Sequence, residues 1–122
     1  MHVQEINTVE EVEAIMTPDG PAVLIDFWAP WCGPCRVMAP QFEAAAKTMA
    51  EEPITFYKVN TEAHPEIAKA FTIRSLPTVL AIHHGQIQDS LIGSQDCYSI
   101  KRVAERLVSR SRGEGFFQRL FR

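Results

Sequence analysis

Two cysteines three positions apart, Cys32 and Cys35, lie in the run Trp31-Cys32-Gly33-Pro34-Cys35, just after a nearly continuous apolar stretch from Ala22 to Trp28. That order predicts a buried strand feeding a helix whose first turn carries both thiols. Free amides and the macrodipole at a helix N-terminus favour negative charge, so a Cys32 thiolate would be stabilised there and nucleophilic near neutral pH. The expectation is a Cys32 sulfur turned toward solvent. Cys35, one turn deeper on the same face, is then placed to close a disulfide and to resolve a mixed one. Pro34 lacks an amide, which costs little in a first helical turn, and it stiffens the loop. The competing readings are a pair of buried structural cysteines and half of a metal site. A structural zinc site wants a second cysteine pair or a histidine pair at suitable spacing. Cys97, His83 and His84 are the other soft ligands near each other in sequence and show no such spacing, so no metal is expected.

The surrounding sequence must position that pair. Val3 to Ile6 can form a short first strand. Thr8 and Glu11 fit a capping box, followed by an apolar stripe at Val9, Val12 and Ile15-Met16 and a stop at Pro18-Asp19-Gly20. Ala22 to Trp28, interrupted only by Asp26, suits a central strand buried on both faces. A helix runs from Gly33 to Met49-Ala50, with Pro40 inside it as an expected kink. Ile54 to Val59 reads as another central strand, and Pro65 opens a short helix, His64 to Phe71. Thr78 to Ile82 and Gln86 to Ile92 read as strands joined through His84-Gly85 as a hairpin. Asp96 can cap a last helix with Ile100, Val103, Ala104, Leu107 and Val108 on one face. The order β-α-β-α-β-α-β-β-α predicts parallel crossovers early and an antiparallel hairpin late, in an α/β fold with a mixed sheet between helices.

With 122 residues, 46% of them hydrophobic and 22% charged, the composition is that of an ordinary globular domain with one core. No apolar run approaches the ~20 residues needed to span a bilayer. The N-terminus lacks a basic-then-apolar leader, so a cytoplasmic chain is expected. Net charge is −3, unevenly spread: residues 1–100 carry 5 basic and 13 acidic side chains, and residues 101–122 carry 7 basic and 2 acidic. The expected division is a domain over 1–108 and a basic, aromatic tail over 109–122. In that tail Ser109 to Gly115 reads as flexible, and Phe116, Phe117, Leu120 and Phe121 share one side of a helix. It either packs or frays as a short extension, or docks weakly on an anionic membrane surface or a partner groove.

The run Asp26-Phe27-Trp28-Ala29-Pro30-Trp31-Cys32-Gly33-Pro34-Cys35 resembles the active-site signature of the thioredoxin family over its whole length. The resemblance continues in Lys58-Val59-Asn60, in Arg74-Ser75-Leu76-Pro77-Thr78 and at Gly93, and covers roughly residues 3–108. It implies the thioredoxin-like three-layer α/β/α fold, with a central mixed five-stranded sheet and four helices. It also implies a role for each matching residue. Cys32 resembles the nucleophile and Cys35 the resolving thiol. Asp26 resembles the buried carboxylate beneath the pair, its pKa raised by desolvation, exchanging a proton with Cys35 through water. Lys58 resembles the lysine that pairs with that carboxylate, and Pro77 the cis-proline facing the disulfide. The Leu76 backbone would pair with an extended substrate chain. Trp31, Leu76 and Gly93 would form an apolar rim, with Gly33, Pro34 and Pro77 completing the substrate surface. Leu76 stands where the family most often has isoleucine, and Ser75 is a variable position.

The implied activity is thiol-disulfide exchange that reduces protein disulfides, recharged by an NADPH-linked flavoprotein reductase. No bound cofactor and no nucleic acid are implied, and a monomer is expected. Two rivals stand beside it. One is a disulfide-forming oxidant of the same fold, against which the Gly33-Pro34 dipeptide argues. The other is a binding module whose tail does the work. Trp28 reads as packing behind the site, His64, His83 and His84 as surface or turn residues, and Cys97 as a passive thiol.

Overall fold

The computed structural model describes residues 2–120, with side chains within 2–111. Its elements are β1 (Val3–Glu5), α1 (Val9–Ile15), β2 (Val23–Trp28), α2 (Gly33–Thr48), β3 (Thr55–Asn60), α3 (Pro65–Ala70), β4 (Thr78–His83), β5 (Gln86–Ile92) and α4 (Cys97–Leu120). The five strands form one sheet in the order β1-β3-β2-β4-β5. β1, β3 and β2 are parallel, β4 runs antiparallel to β2, and β5 antiparallel to β4. The expected three-layer mixed sheet with four helices is therefore present.

β2 lies at the centre because its near-continuous apolar sequence has two faces to bury. Alternation of side chains along the strand sends Val23, Ile25 and Phe27 to one face, with Ile15 of α1 and Ile67 of α3. Leu24 points to the other, among Met38 and Phe42 of α2 and Ile100, Val103 and Leu107 of α4. The same alternation puts Asp26 on the face of Leu24, beneath α2. Each of these large side chains, fully buried, contributes roughly 1.5–3 kcal/mol over an exposed position. The predicted apolar face of α4, Ile100 through Val108, is buried as expected.

Local chemistry sets the helix starts. The Thr8 hydroxyl accepts the Glu11 amide at 3.1 Å, while the Glu11 carboxylate accepts the amide of Asn7 at 3.1 Å. The capping box thus closes one residue earlier than its usual form. Asp96 caps α4 by accepting the Ser99 amide at 2.8 Å, and this bond holds its carboxyl below the usual range. Pro40 lies inside α2 and faces solvent, so the Arg36 carbonyl that its missing amide would have met is on the wet side of the helix.

Two expectations change. His83, read as a surface or turn residue, is 7% exposed; it is the last residue of a strand whose six positions are all buried. The turn proper is His84-Gly85, both with positive φ (55° and 69°), the backbone that a two-residue hairpin of this hand requires. Residues 109–115, expected to be flexible, lie within α4; Gly113 and Gly115 cost the helix only about 1 kcal/mol each. The side chains of Phe116, Phe117 and Leu120, and all of Phe121, lie outside the described residues. So does the apolar side on which the docking expectation rests. No described helix is long and apolar enough to cross a membrane.

Candidate active site

β2 ends at Trp28, and the chain turns through Ala29 and Pro30, where the Cys32 amide donates to the Ala29 carbonyl at 3.1 Å. Cys32 is the N-cap residue of α2, in extended backbone. Its sulfur accepts the Cys35 amide at 3.2 Å, one of the orphan donors of a helix start. Cys32 and Cys35 are joined in a disulfide with their Cα atoms 5.3 Å apart. The pairing matches the geometry that the spacing predicts, but the exposure does not. Cys32 is 5% exposed and Cys35 2%, because Ala29, Trp28 and Leu76 pack around the pair. The outer sulfur is reached through a cavity and does not project into solvent.

That cavity, about 500 Å³, has Trp31, Cys32, Gly33 and Pro34 on its redox-loop side and Ile73 through Leu76 opposite, with Thr61 and Ala68 closing it. Trp31 is 68% exposed and forms an open wall. Of the expected substrate surface, Trp31, Gly33, Pro34 and Leu76 meet here. Pro77 and Gly93 lie outside this cavity but are tied together, the Gly93 amide donating to the Pro77 carbonyl at 2.9 Å. The Leu76–Pro77 peptide bond is cis, as the resemblance implies. Gly93 has open space where a side chain would go but a φ of +88°, so backbone conformation is what favours glycine there.

Thr61, Ala68, Ile73 and Arg74 are site residues that sequence reading missed. A signal for Thr61 existed in Asn60, whose side chain accepts the amides of Glu62 and Ala63 at 3.0 and 3.2 Å. Asparagine at a strand end commonly builds such a turn. The turn brings Thr61 back onto β2, where its amide and hydroxyl donate to the Trp28 carbonyl at 2.8 and 3.0 Å.

Behind the disulfide lies a second cavity of about 200 Å³, lined by Asp26, Trp28, Cys35, Arg36, Ala39 and Lys58. Asp26 is 4% exposed. Burial pushes its carboxyl up to about 7, against a smaller opposing pull from Lys58. Among the described residues its Oδ1 has no hydrogen-bond partner, nor has Trp28 Nε1. The Lys58 expectation needs correcting. Lys58 sits beside Asp26 in the sheet register, yet its ammonium lies 3.7 Å from Glu5 and 5.6 Å from the centroid of the Trp28 ring. A long, half-exposed side chain keeps its charge in water beside an exposed carboxylate rather than follow Asp26 into the interior. Lys58 acts on Asp26 through space, not as a contact pair. Cys97 is a free, partly buried thiol. No cluster of three or more potential metal ligands occurs among the described residues.

A family model described as Thioredoxin matches residues 3–106. The chain belongs to the thioredoxin family. It is 41% identical to the chloroplastic M-type thioredoxin of Pisum sativum over 106 residues, 87% of this chain and 60% of that protein. It is 35% identical to the thioredoxin of Porphyra purpurea over 109 residues, 89% of this chain and 100% of that one. Among solved structures, the thioredoxin of Malassezia sympodialis superposes with a TM-score of 0.78 at 33% identity, over 87% of this chain and 90% of that one. The chain spans a little over half the length of the chloroplastic pea, spinach and Arabidopsis relatives, 60%, 58% and 55%. Those relatives overturn the expected cytoplasmic setting. The lack of a leader pattern at Met1 does not decide the compartment of a thioredoxin matched over only part of such proteins.

Proposed function

We propose that this thioredoxin-family chain is a protein-disulfide reductase working by dithiol exchange at Cys32 and Cys35. The observation that carries the reading is the placement of the pair: Cys32 caps α2, is bonded to Cys35, and opens onto the 500 Å³ cavity. In the reduced protein the Cys32 thiolate, favoured by the Cys35 amide and the helix terminus, attacks one sulfur of a substrate disulfide. The other substrate sulfur leaves as a thiolate and takes a proton. Cys35 then gives up its proton, attacks Cys32 Sγ of the mixed disulfide, and releases the second substrate thiol. Two electrons pass to the substrate and the Cys32–Cys35 bond forms.

Asp26 is the base we assign to Cys35. The two line one cavity, and a carboxyl with a pKa of about 7 suits proton exchange near neutral pH, with water in that cavity as the carrier. Lys58 tunes this carboxyl from a distance. The substrate chain lies along Trp31, Gly33, Pro34, Leu76, Pro77 and Gly93, with the Leu76 backbone pairing to it. Protein disulfides are the substrates, and an NADPH-linked flavoprotein reductase restores the dithiol of a monomer. The redox unit is residues 1–108, supported by Val108 being the last buried apolar side chain of α4 among the described residues. The names of the plant relatives favour a plastid setting.

Insulin reduction driven by dithiothreitol tests the reading. The native chain should turn over, and Cys32→Ser should lose essentially all of that activity. Turnover retained in the variant would refute the mechanism. A redox potential in the oxidising range would instead favour the disulfide-forming rival.

A further inference from the structure

The charge of this chain is distributed against its overall sign. Residues 1–100 hold only five cations against thirteen acidic residues, yet three of the five line the two cavities that adjoin the dithiol: Arg74 in one, Arg36 and Lys58 in the other. Among the described residues, the single acidic one lining either cavity is Asp26, which is buried. Lys58 is partly neutralised by Glu5. Arg74 and Arg36 are exposed and make no ion pair among the described residues. In the cavity over Cys32, Arg74 is the one charged side chain among the described residues; its neighbours are apolar or carry hydroxyls, as Thr61 and Ser75 do.

We propose that Arg74 is a specificity-determining residue, selecting disulfide segments that carry a carboxylate side chain beside the attacked cysteine. The inference rests on the dithiol reading above and names the substrate class of that site. A guanidinium pairs well with a carboxylate in a partly desolvated groove, and a cationic flank would favour the lysine-bearing competitor nowhere in this cavity. Within residues 1–100 the surplus of acidic side chains disfavours an acidic partner away from this end, so the Arg74 guanidinium supplies local attraction at the cavity over Cys32.

The test uses three disulfide-containing peptides identical except that the residues flanking the cysteine are Glu, Gln or Lys. Second-order rates of reduction by the reduced full-length chain are measured at low salt and near 0.5 M NaCl. The Glu peptide should react faster than the Lys peptide by about three- to tenfold at low salt, and the ratio should shrink at high salt. Arg74→Gln should collapse the ratio and Arg74→Glu should invert it. Lys47→Gln, which removes the same charge from the far end of α2, should keep it. Equal rates for Glu and Lys peptides, or a ratio unmoved by Arg74→Gln, overturn the proposal while leaving the dithiol reading intact if the Gln peptide is reduced. Failure to reduce any of the three defeats both.

Discussion

A single buried carboxylate has consequences that can be measured apart from catalysis. Asp26 has a pKa of about 7 in the fold against 3.8 as an ordinary aspartate, with burial the larger cause. Between those two values the folded chain holds a proton that the unfolded chain has released. Stability is therefore fully present below about pH 4, falls as pH rises toward 7, and levels off above it. Asp26→Asn removes the group responsible. At pH 8 the variant should be the more stable of the two by up to about 4 kcal/mol, and the gain should vanish near pH 4. Urea unfolding of both oxidised proteins across this range checks it; equal stabilities at pH 8 would mean that the carboxyl is not desolvated. The raised pKa is legible in the sequence because an acid stands in an otherwise apolar strand. The partner of Lys58 is not, because two cross-strand neighbours in register say nothing about where a four-carbon stem will swing. Cys32 was likewise expected to face solvent; motif spacing gives its place on the helix but not the packing of Leu76 and Trp28 around it.

At the scale of elements, helix boundaries were the readable part. Thr8 with Glu11, Pro65, Asp96 and the His84-Gly85 turn each announce a start or a reversal by the donors, acceptors or backbone they supply. Thr8→Ala should lower stability by about 1 kcal/mol, visible in calorimetry as a fall in Tm of about 4 °C, while Thr8→Ser should restore most of it. An unchanged Tm would show that the Glu11 carboxylate alone, through Asn7, holds the start of α1. The course of α4 past Ser109 was less readable. Serine and glycine favour turns over helix interiors and so point away from a helix there, while no proline marks a stop before Arg122.

Across the whole molecule, the antiparallel pairing of β2 and β4 brings the exit of β2 and the entry of β4 together at the redox loop. β2 delivers Trp28 and the turn to Cys32, and the segment before β4 delivers Arg74 through Pro77. That convergence follows from the crossovers, which strand and helix order allows one to anticipate; the joining of Thr61 to Trp28 depends on a loop conformation and was not anticipated. Because β3, β2 and β4 are each paired on both sides, their amides should be the slowest to exchange with deuterium. Those of β1 and β5, each paired on one side only, should exchange earlier. Protection of β5 equal to that of β2 would mean that the edge is covered in solution.

The reversal at His84 and Gly85 is more than a connection. The His84 amide donates to the Gly20 carbonyl at 3.1 Å, its ring Nδ1 lies 3.1 Å from the Pro18 carbonyl, and a side chain on Gly85 would meet the carbonyls of Met16 and Thr17. Hairpin tips are customary places to splice in an epitope or a reporter, since most of them hang free. This one is latched to the chain leaving α1, so an insertion there would pry open the end of the barrel-less sheet remote from the cysteines, and the obvious grafting point is the one to avoid.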